Sequence, residues 1–478
     1  MKQLISLVGN TTPRGVALTT NLTVKDQNFV NCLFLSLENP YTGKKTIYIE
    51  RRPGFGSSST NANFTTITGF FDADGLIGTT PVIFGTKATT GVARIEIVDS
   101  LGSTSYDHAN STAITHLSEA KDSNGVDSLI WTRGSTSITD AWIYPEGGAV
   151  AQITAIPAGS VGGFAHMNGW TFVANSNGRI YNSTLNNPAA GYTDFIGADM
   201  YQDTLISVVK YKNYILGFGR RSCDWFELAE NTVGSPLRWA PQHSFRIGLV
   251  PYASSKYSHT HSGDSLYWIY NGAGSGAGIY GLEGNTEPTK ISTPYIDRLI
   301  LENNLNQLKS GALLENKYLF LPINTTNCAV YDIKHKLWSI WQSSYLTWTT
   351  LGAFGSNRIY AALNNKQMYI NTASLVYTDD SNSITRQITL MPINMDTKDL
   401  KKWEALSIIG DQATSTHNIT VSWSDDDYTS FSSGRTVDMS RYNPTLWALG
   451  TSRARAFRLS DTNTTASRLE SLELTIGD

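Results

Sequence analysis

The stretch GGFAHMNGWTFVANSNGRIYNST, residues 162–184, decides the fold. The pairs Asn168-Gly169 and Asn177-Gly178 divide it into three short runs carrying Phe, Trp, Val, Ile and Tyr. Aromatic and β-branched side chains suit a pleated surface, while Asn and Gly accept the positive φ of a tight reversal. The segment therefore predicts antiparallel strands joined by hairpins. A sheet this small cannot bury a face unaided, so it must stack on others.

Similar units recur on both sides. PVIFGT (81–86) turns into ARIEIVDSLGST (93–104), and SLIWTRGS (128–135) leads to ITDAWIYPEGG (138–148). Further on come ISVVKYKNYILGFGRRSCDWFEL (206–228) and SHTHSGDSLYWIYNGAGSGAGIYGLEG (258–284). GALLENKYLFLPINTTNCAVYDIKHKLWSIW (311–341) and GAFGSNRIYAALNNKQMYIN (352–371) complete the series. Period-two alternation puts Tyr214, Leu216 and Phe218 on one side of a strand, as it does Trp225 on the next. The units start about 35 to 60 residues apart, which brackets a four-stranded blade. Six or seven such units, none able to bury its own face, favour radial closure over a pair of β-sandwiches.

Helical patterning is scarce, the best candidate being 293–308, with Ile296, Leu299 and Ile300 on one face, lying over a blade or bridging two. Past residue 375 the pattern changes. ITRQITLMPINM (384–395), EALSIIGD (404–411), NITVSWSDDDYTSF (418–431), RARAFRLS (453–460) and SRLESLELTIGD (467–478) read as strands of a separate antiparallel domain, with the last strand tying down the C-terminus. The fold class so predicted is all-β: a β-propeller of six or seven blades over 61–375, with an additional small antiparallel β, platform-like domain over 376–478. Residues 1–60 supply N-terminal strands that pack on or close these domains.

Composition agrees. Of 478 residues only 16% are charged, 11% are aromatic and 40 are glycine, against roughly 25% charged in ordinary soluble domains. Such a surface is polar without being charged, which suits lasting contact with neighbouring subunits. The net charge of −3 offers no basic surplus for gripping phosphates, so any nucleic-acid partner would be held loosely or merely enclosed. Cys32, Cys223 and Cys328 are odd in number and far apart, and read as free buried thiols. The N-terminal MKQLISLVGN is too short for a signal-peptide core, and no apolar run could span a bilayer.

Candidate chemistry is thin. Ser424-Asp425-Asp426-Asp427-Tyr428-Thr429-Ser430-Phe431 resembles a degenerate Asp-box, the S-x-D-x-G-x-T-W hairpin of sialidases and other propellers, with Tyr428 for the glycine, Ser430 for the threonine and Phe431 for the tryptophan. Its carboxylate and hydroxyls would bond turn amides, a structural task. A sialidase would also need converging arginines and a Tyr/Glu pair; Arg51, Arg52, Arg220, Arg221 and Arg238 are available. His259 and His261 lack a third metal ligand. GAGSGAG (272–278) lacks the Lys-Ser/Thr of a phosphate cradle, and no G-x-S-x-G elbow occurs. The densest positive charge is Lys398, Lys401, Lys402, Arg453, Arg455 and Arg458, candidates for DNA or interface contact or a face balanced by Asp425, Asp426 and Asp427. A strand would point Arg453 and Arg455 one way and Arg458 the other.

VSWSDDDYTSF and WALGTSRARAFRLSDTNTTASRLESLELTIGD (447–478) resemble the closing domain of podophage (short-tailed bacteriophage) tail nozzle proteins, also described as tail hub or packaged-DNA-stabilisation proteins. Trp423, Ser424, Asp425, Asp426, Trp447, Gly450, Arg453, Arg455, Phe457, Arg458 and Leu459 fit that pattern. NCLFLSLENPYTGKKTIYIERRPGF (31–55), with its Arg-Pro-Gly-Phe turn, SCDWFELAENTVGSPLRWAPQHSFRIGLV (222–250) and ISTPYIDRLI (291–300) agree more loosely. The likeness departs in leaving no room for a long distal extension. It implies a virion tail protein without catalytic residues or cofactors: a homo-hexamer around the DNA exit channel, beneath a head-to-tail adaptor, docking tail fibres or spikes and retaining packaged DNA. The competing expectation is a carbohydrate-binding or sialidase-like propeller.

Overall fold

The computed structural model describes residues 2–8, 28–38, 45–73, 76, 78, 80–122, 124–134, 137–198, 203–229, 234–250, 259–262, 264–270, 277–302, 312–314, 317–343, 347–355, 358–371, 376–395 and 397–477. The GAGSGAG loop and the tail of the expected helix fall largely outside them. Two compact units emerge: 57–328 with 346–370, and 1–56 with 329–345 and 371–478.

In the first unit the deciding stretch forms strands Ser160–Met167, Trp170–Asn175 and Arg179–Thr184, with Asn187–Gly197 as a fourth. Asn168 and Gly169, at φ 49° and 82°, link the opposed pair Met167 and Trp170. This two-residue reversal has the backbone hand that matches strand twist. The second turn is longer: Asn175 opposes Arg179, and Gly178 takes the positive φ of 84°.

The same four-stranded antiparallel plan recurs. Blade 1 holds Phe64–Phe71, Val82–Lys87, Ala93–Val98 and Ser103–Asp107; blade 2 runs from Ile114–Lys121 to Ala151–Ile153; the deciding sheet is blade 3. Blade 4 runs from Leu205–Tyr211 to Leu237–Trp239, and blade 5 from His259–Ser262 to Thr289–Lys290. Ala312–Leu314 and Tyr318–Pro322 begin a sixth, and the chain enters the other unit within its third strand, Asn327–Asp332. Blade 7 takes Thr347–Phe354, Arg358–Leu363 and Lys366–Asn371. First strands adjoin from blade 2 to 3, 3 to 4, 5 to 6 and 6 to 7, and blade 7 meets blade 1. That circuit is a seven-bladed β-propeller.

The seams explain the alternation. Leu216 and Phe218 pack with Trp225 and Trp268 toward blade 5, whereas Ile215 packs with Phe172 and Ile180 toward blade 3. Both faces of a blade are thus apolar, and period two divides side chains between two neighbours. Phe64, Ile67 and Phe70 join Tyr360 and Ala362 where the circuit closes. The outer strand of blade 7 comes from far upstream: Ser57–Thr60 pairs antiparallel with Lys366–Tyr369. The helix Pro294–Glu302, capped by the carbonyl and hydroxyl of Thr293, lies on strand Gly278–Glu283 of blade 5.

The second unit is two packed sheets. One has the order Cys32–Glu38, Lys45–Arg51, Arg468–Gly477, Lys401–Gly410, Thr445–Ser452, with Lys2–Ser6 also on Arg468–Gly477. The other includes Leu337–Gln342, Asn28–Val30, Arg386–Thr389, Ala456–Asp461, Asn418–Ser424 and Arg435–Asp438. Phe34, Ile49, Trp403, Leu406, Leu472 and Leu474 face Phe29, Ile388, Val421, Phe457 and Leu459 across one core. Pairing is antiparallel except where Val30 runs parallel to Ile340. The sequence limits of 1–60, 61–375 and 376–478 follow chain order, whereas this unit draws on three separate stretches.

Candidate functional site

The hairpin after Asn418–Ser424 builds its turn as the Asp-box likeness implies. Ser424 Oγ donates to Asp426 Oδ1 at 2.7 Å and accepts the Tyr428 amide at 2.9 Å. Asp426 also accepts the Ser430 amide at 2.9 Å and the Ser430 hydroxyl at 2.5 Å. These bonds hold the fully exposed carboxyl down at about 2. Asp427 and Tyr428 are left-handed, at φ 55° and 67°. Tyr428, in the glycine slot, is anchored there by its hydroxyl, which donates to the Leu390 carbonyl at 2.8 Å.

Arg455 lies 2% exposed between Trp403 and Trp423, whose ring centroids are 5.5 and 5.2 Å from its guanidinium carbon. Nε and Nη2 donate to the two oxygens of Asp425 at 2.6 and 2.7 Å, and Nη1 to the Leu449 carbonyl at 2.6 Å. That carbonyl lies in a bulge where Ala448 and Gly450 adopt φ 57° and 86°, on the edge strand Thr445–Ser452. Arg435 donates to the Trp447 carbonyl at 2.8 Å. Cationic side chains thus occupy acceptors that an edge strand offers to another chain. Phe457 is buried in the core, and Arg458 stacks 3.5 Å over Phe431.

The basic stretch does not form one patch. Ala456–Asp461 begins too late to carry Arg453, which is exposed while Arg455 is buried, so the two do not share a strand face. Lys401 Nζ donates to the carbonyls of Thr397, Asp399 and Arg453 at 3.1, 2.9 and 2.9 Å, which uses all three ammonium donors. Lys402 is exposed, 3.1 Å from Glu404, and Lys398 is exposed. Trp447 also faces solvent, 63% exposed.

The arginines available for a substrate carboxylate are engaged differently. Arg51 and Arg386 share the carboxylate of Asp461, all three essentially buried. Burial and the adjacent Arg386 push Arg51 down to about 9, so it stays protonated at neutral pH. Arg52 pairs with Asp379. Arg238 is exposed and pairs with Glu227, while Arg220 and Arg221 lie on the surface of the other unit. Among the described residues no three His, Cys, Asp or Glu side chains could hold a metal ion, and no helix is long and apolar enough to cross a membrane. Sequence reading missed Asp379, Arg386, Asp461 and Trp403; the sole signal was the Arg-Pro-Gly-Phe turn.

A seven-bladed wheel in one unit and a two-sheet sandwich with internal ion pairs in the other define a β-propeller protein. The family model described as bacteriophage P22 Gp10, beta-propeller, matches residues 113–358, and the chain belongs to that family. It is a phage structural protein. Solved structures similar to it include the computationally designed Ika8 protein, at 10% identity over 67% of this chain and 99% of that chain, with TM-score 0.37. Others are the Neurospora crassa Pan2 WD40 domain (9%, 67% and 95%, 0.41) and the Myceliophteria thermophila Cps50 (Swd1) beta-propeller domain (9%, 67% and 99%, 0.42). No curated protein matches the chain.

Proposed function

We propose that this protein is the tail nozzle or hub of a short-tailed phage, a non-catalytic wall around the DNA exit channel. In that role copies close into a cyclic hexamer beneath the head-to-tail adaptor, retain the packaged genome and dock tail fibres or spikes. The family match, running from the first strand of blade 2 into blade 7, carries the reading. Internal use of Arg51, Arg52, Lys401 and Arg455 supports it, because a substrate or DNA site needs such groups free. A conduit must also let DNA slide, and a chain of net charge −3 sheds few counterions on contact.

The test is particle size by electron microscopy and mass photometry, alone and mixed with adaptor and fibre proteins. Six-fold rings are expected, alone or on the adaptor. A chain that stays monomeric with every tail component would overturn the proposal, as would sialidase activity or selective capture on a glycan array. The lumen reading has its own check: submicromolar binding of duplex DNA at physiological salt would refute a loosely enclosing wall.

A further inference from the structure

The strand that closes the propeller is weak on its own terms. Ser57–Thr60 is SSST, paired over four residues at the outer edge of blade 7, with Ser59 and Thr60 exposed. Its local support is a Gln367 Nε2 donation to Ser59 Oγ at 2.8 Å and an Asn61 amide donation to the Asn365 carbonyl at 2.9 Å. A short edge strand that buries so little frays readily.

Just beyond the end of this pairing where Ser57 opposes Tyr369 lies a far stronger contact. Arg52, immediately upstream of the closing strand, is 0% exposed and uses all five N–H groups. Nε donates to Asn31 Oδ1 at 2.9 Å; Nη1 donates to the Pro53 carbonyl and Asp379 Oδ1, each at 3.0 Å; Nη2 donates to Asp379 Oδ2 at 2.6 Å and the Gln342 carbonyl at 3.0 Å. Asp379, downstream of the partner strand, also accepts the Phe55 amide at 3.1 Å. Burial alone would raise its carboxyl, but the Arg52 charge together with the hydrogen bonds from Arg52, the Phe55 amide and Ser343 outweighs that and holds it below the usual range. The two flanking segments bond through their backbones, Gly54 N to the Val376 carbonyl at 2.5 Å and Asp380 N to the Phe55 carbonyl at 2.9 Å. Gly54 permits the approach, since a Cβ there would meet the Thr378 oxygen at 2.0 Å.

We propose that the Arg52–Asp379 pair is the latch of the propeller: clasp and closing strand open only together. The strand supplies register and the clasp supplies the hold. Separating the clasp leaves a charge buried without its partner, so the ring cannot breathe at this joint as its short outer strand alone would allow. The inference is independent of the tail reading.

Native-state hydrogen exchange of the full chain at increasing sub-denaturing urea tests it. Gly54, Phe55 and Asp380 should share one opening isotherm with amides 58–60 and 366–370. Closing-strand amides that open at lower urea than Phe55 and Asp380 would overturn the proposal, and this outcome needs no variant. In Asp379→Asn, exchange at 58–60 and 366–370 should speed at least tenfold while 170–175 and 214–219 keep their rates. A Ser59→Cys, Gln367→Cys cross-link should restore blade 7 in that background. Equal acceleration in every blade, or no acceleration, would overturn the latch.

Discussion

Replacing Asp425 by alanine should cost more stability than replacing Arg455 by methionine, although both break one ion pair. Asp425 has a side chain 38% exposed, Arg455 one only 2% exposed. Arg455→Met keeps most of the buried volume between Trp403 and Trp423. It forfeits two charge-assisted bonds and leaves the Leu449 carbonyl without its donor, but the freed carboxylate rehydrates, for a net cost of about 1–2 kcal/mol. Asp425→Ala instead strands a buried guanidinium with one carbonyl and two ring faces. Such orphaned charges cost about 3–5 kcal/mol, since the two cation–π contacts are the same before and after the change. The alanine variant should therefore lie at least 1 kcal/mol below the methionine variant. Urea unfolding followed by tryptophan fluorescence, with the double variant closing the cycle, measures both. An Arg455→Met loss equal to or larger than that of Asp425→Ala would refute the claim that the pair is held from its buried side.

Tyr428→Phe should cost about 1 kcal/mol in the same assay, because the Leu390 carbonyl loses its hydroxyl donor. Trp447→Ser should stay within about 0.5 kcal/mol of the parent, since the ring faces solvent. Burial pushes His108, His166 and His417 down to about 4. Folded neutral and unfolded protonated below about 6.5, each removes stability as pH falls from about 6.5 toward 4, up to ~1.4 kcal/mol per pH unit. Urea midpoints at pH 7.5, 5.5 and 4.5 should decline in that order, and a flat profile would count against the buried histidines. The thiols of Cys32, Cys223 and Cys328 are buried, that of Cys32 pushed up to about 12, so a thiol reagent should label none of them before unfolding.

What sequence could supply was local. Asn168-Gly169 announces its turn because only a few residue types accept positive φ. The division of Tyr214, Leu216 and Phe218 from Ile215 is visible as period two, although the pattern cannot say that both faces are buried. The Asp-box residues disclose their bonding because all partners lie within one hairpin. Illegible were contacts whose partners are remote. SSST at 57–60 carries no strand signature, and its pairing with 366–369 exists only once a ring has formed. Arg51 and Arg52 stand in the sequence only as arginines available for a substrate carboxylate and Arg386 carries no signal, because arginine is seldom buried and nothing nearby in sequence names Asp461 or Asp379. Arg453 and Arg455 looked alike, and a strand start three residues later than the reading requires separates their fates.

Placing the closing strand at 57–60 and its mate at 366–369 has a consequence for synthesis. A ribosome delivers the blades in order, yet a nascent chain cannot shut the wheel until the seventh has emerged. Every premature stop before that point leaves the face of Phe64–Phe71 uncovered and an unpaired edge ready to mispair. Only chains translated past the last blade can close the wheel, and every shorter product stays open at this joint.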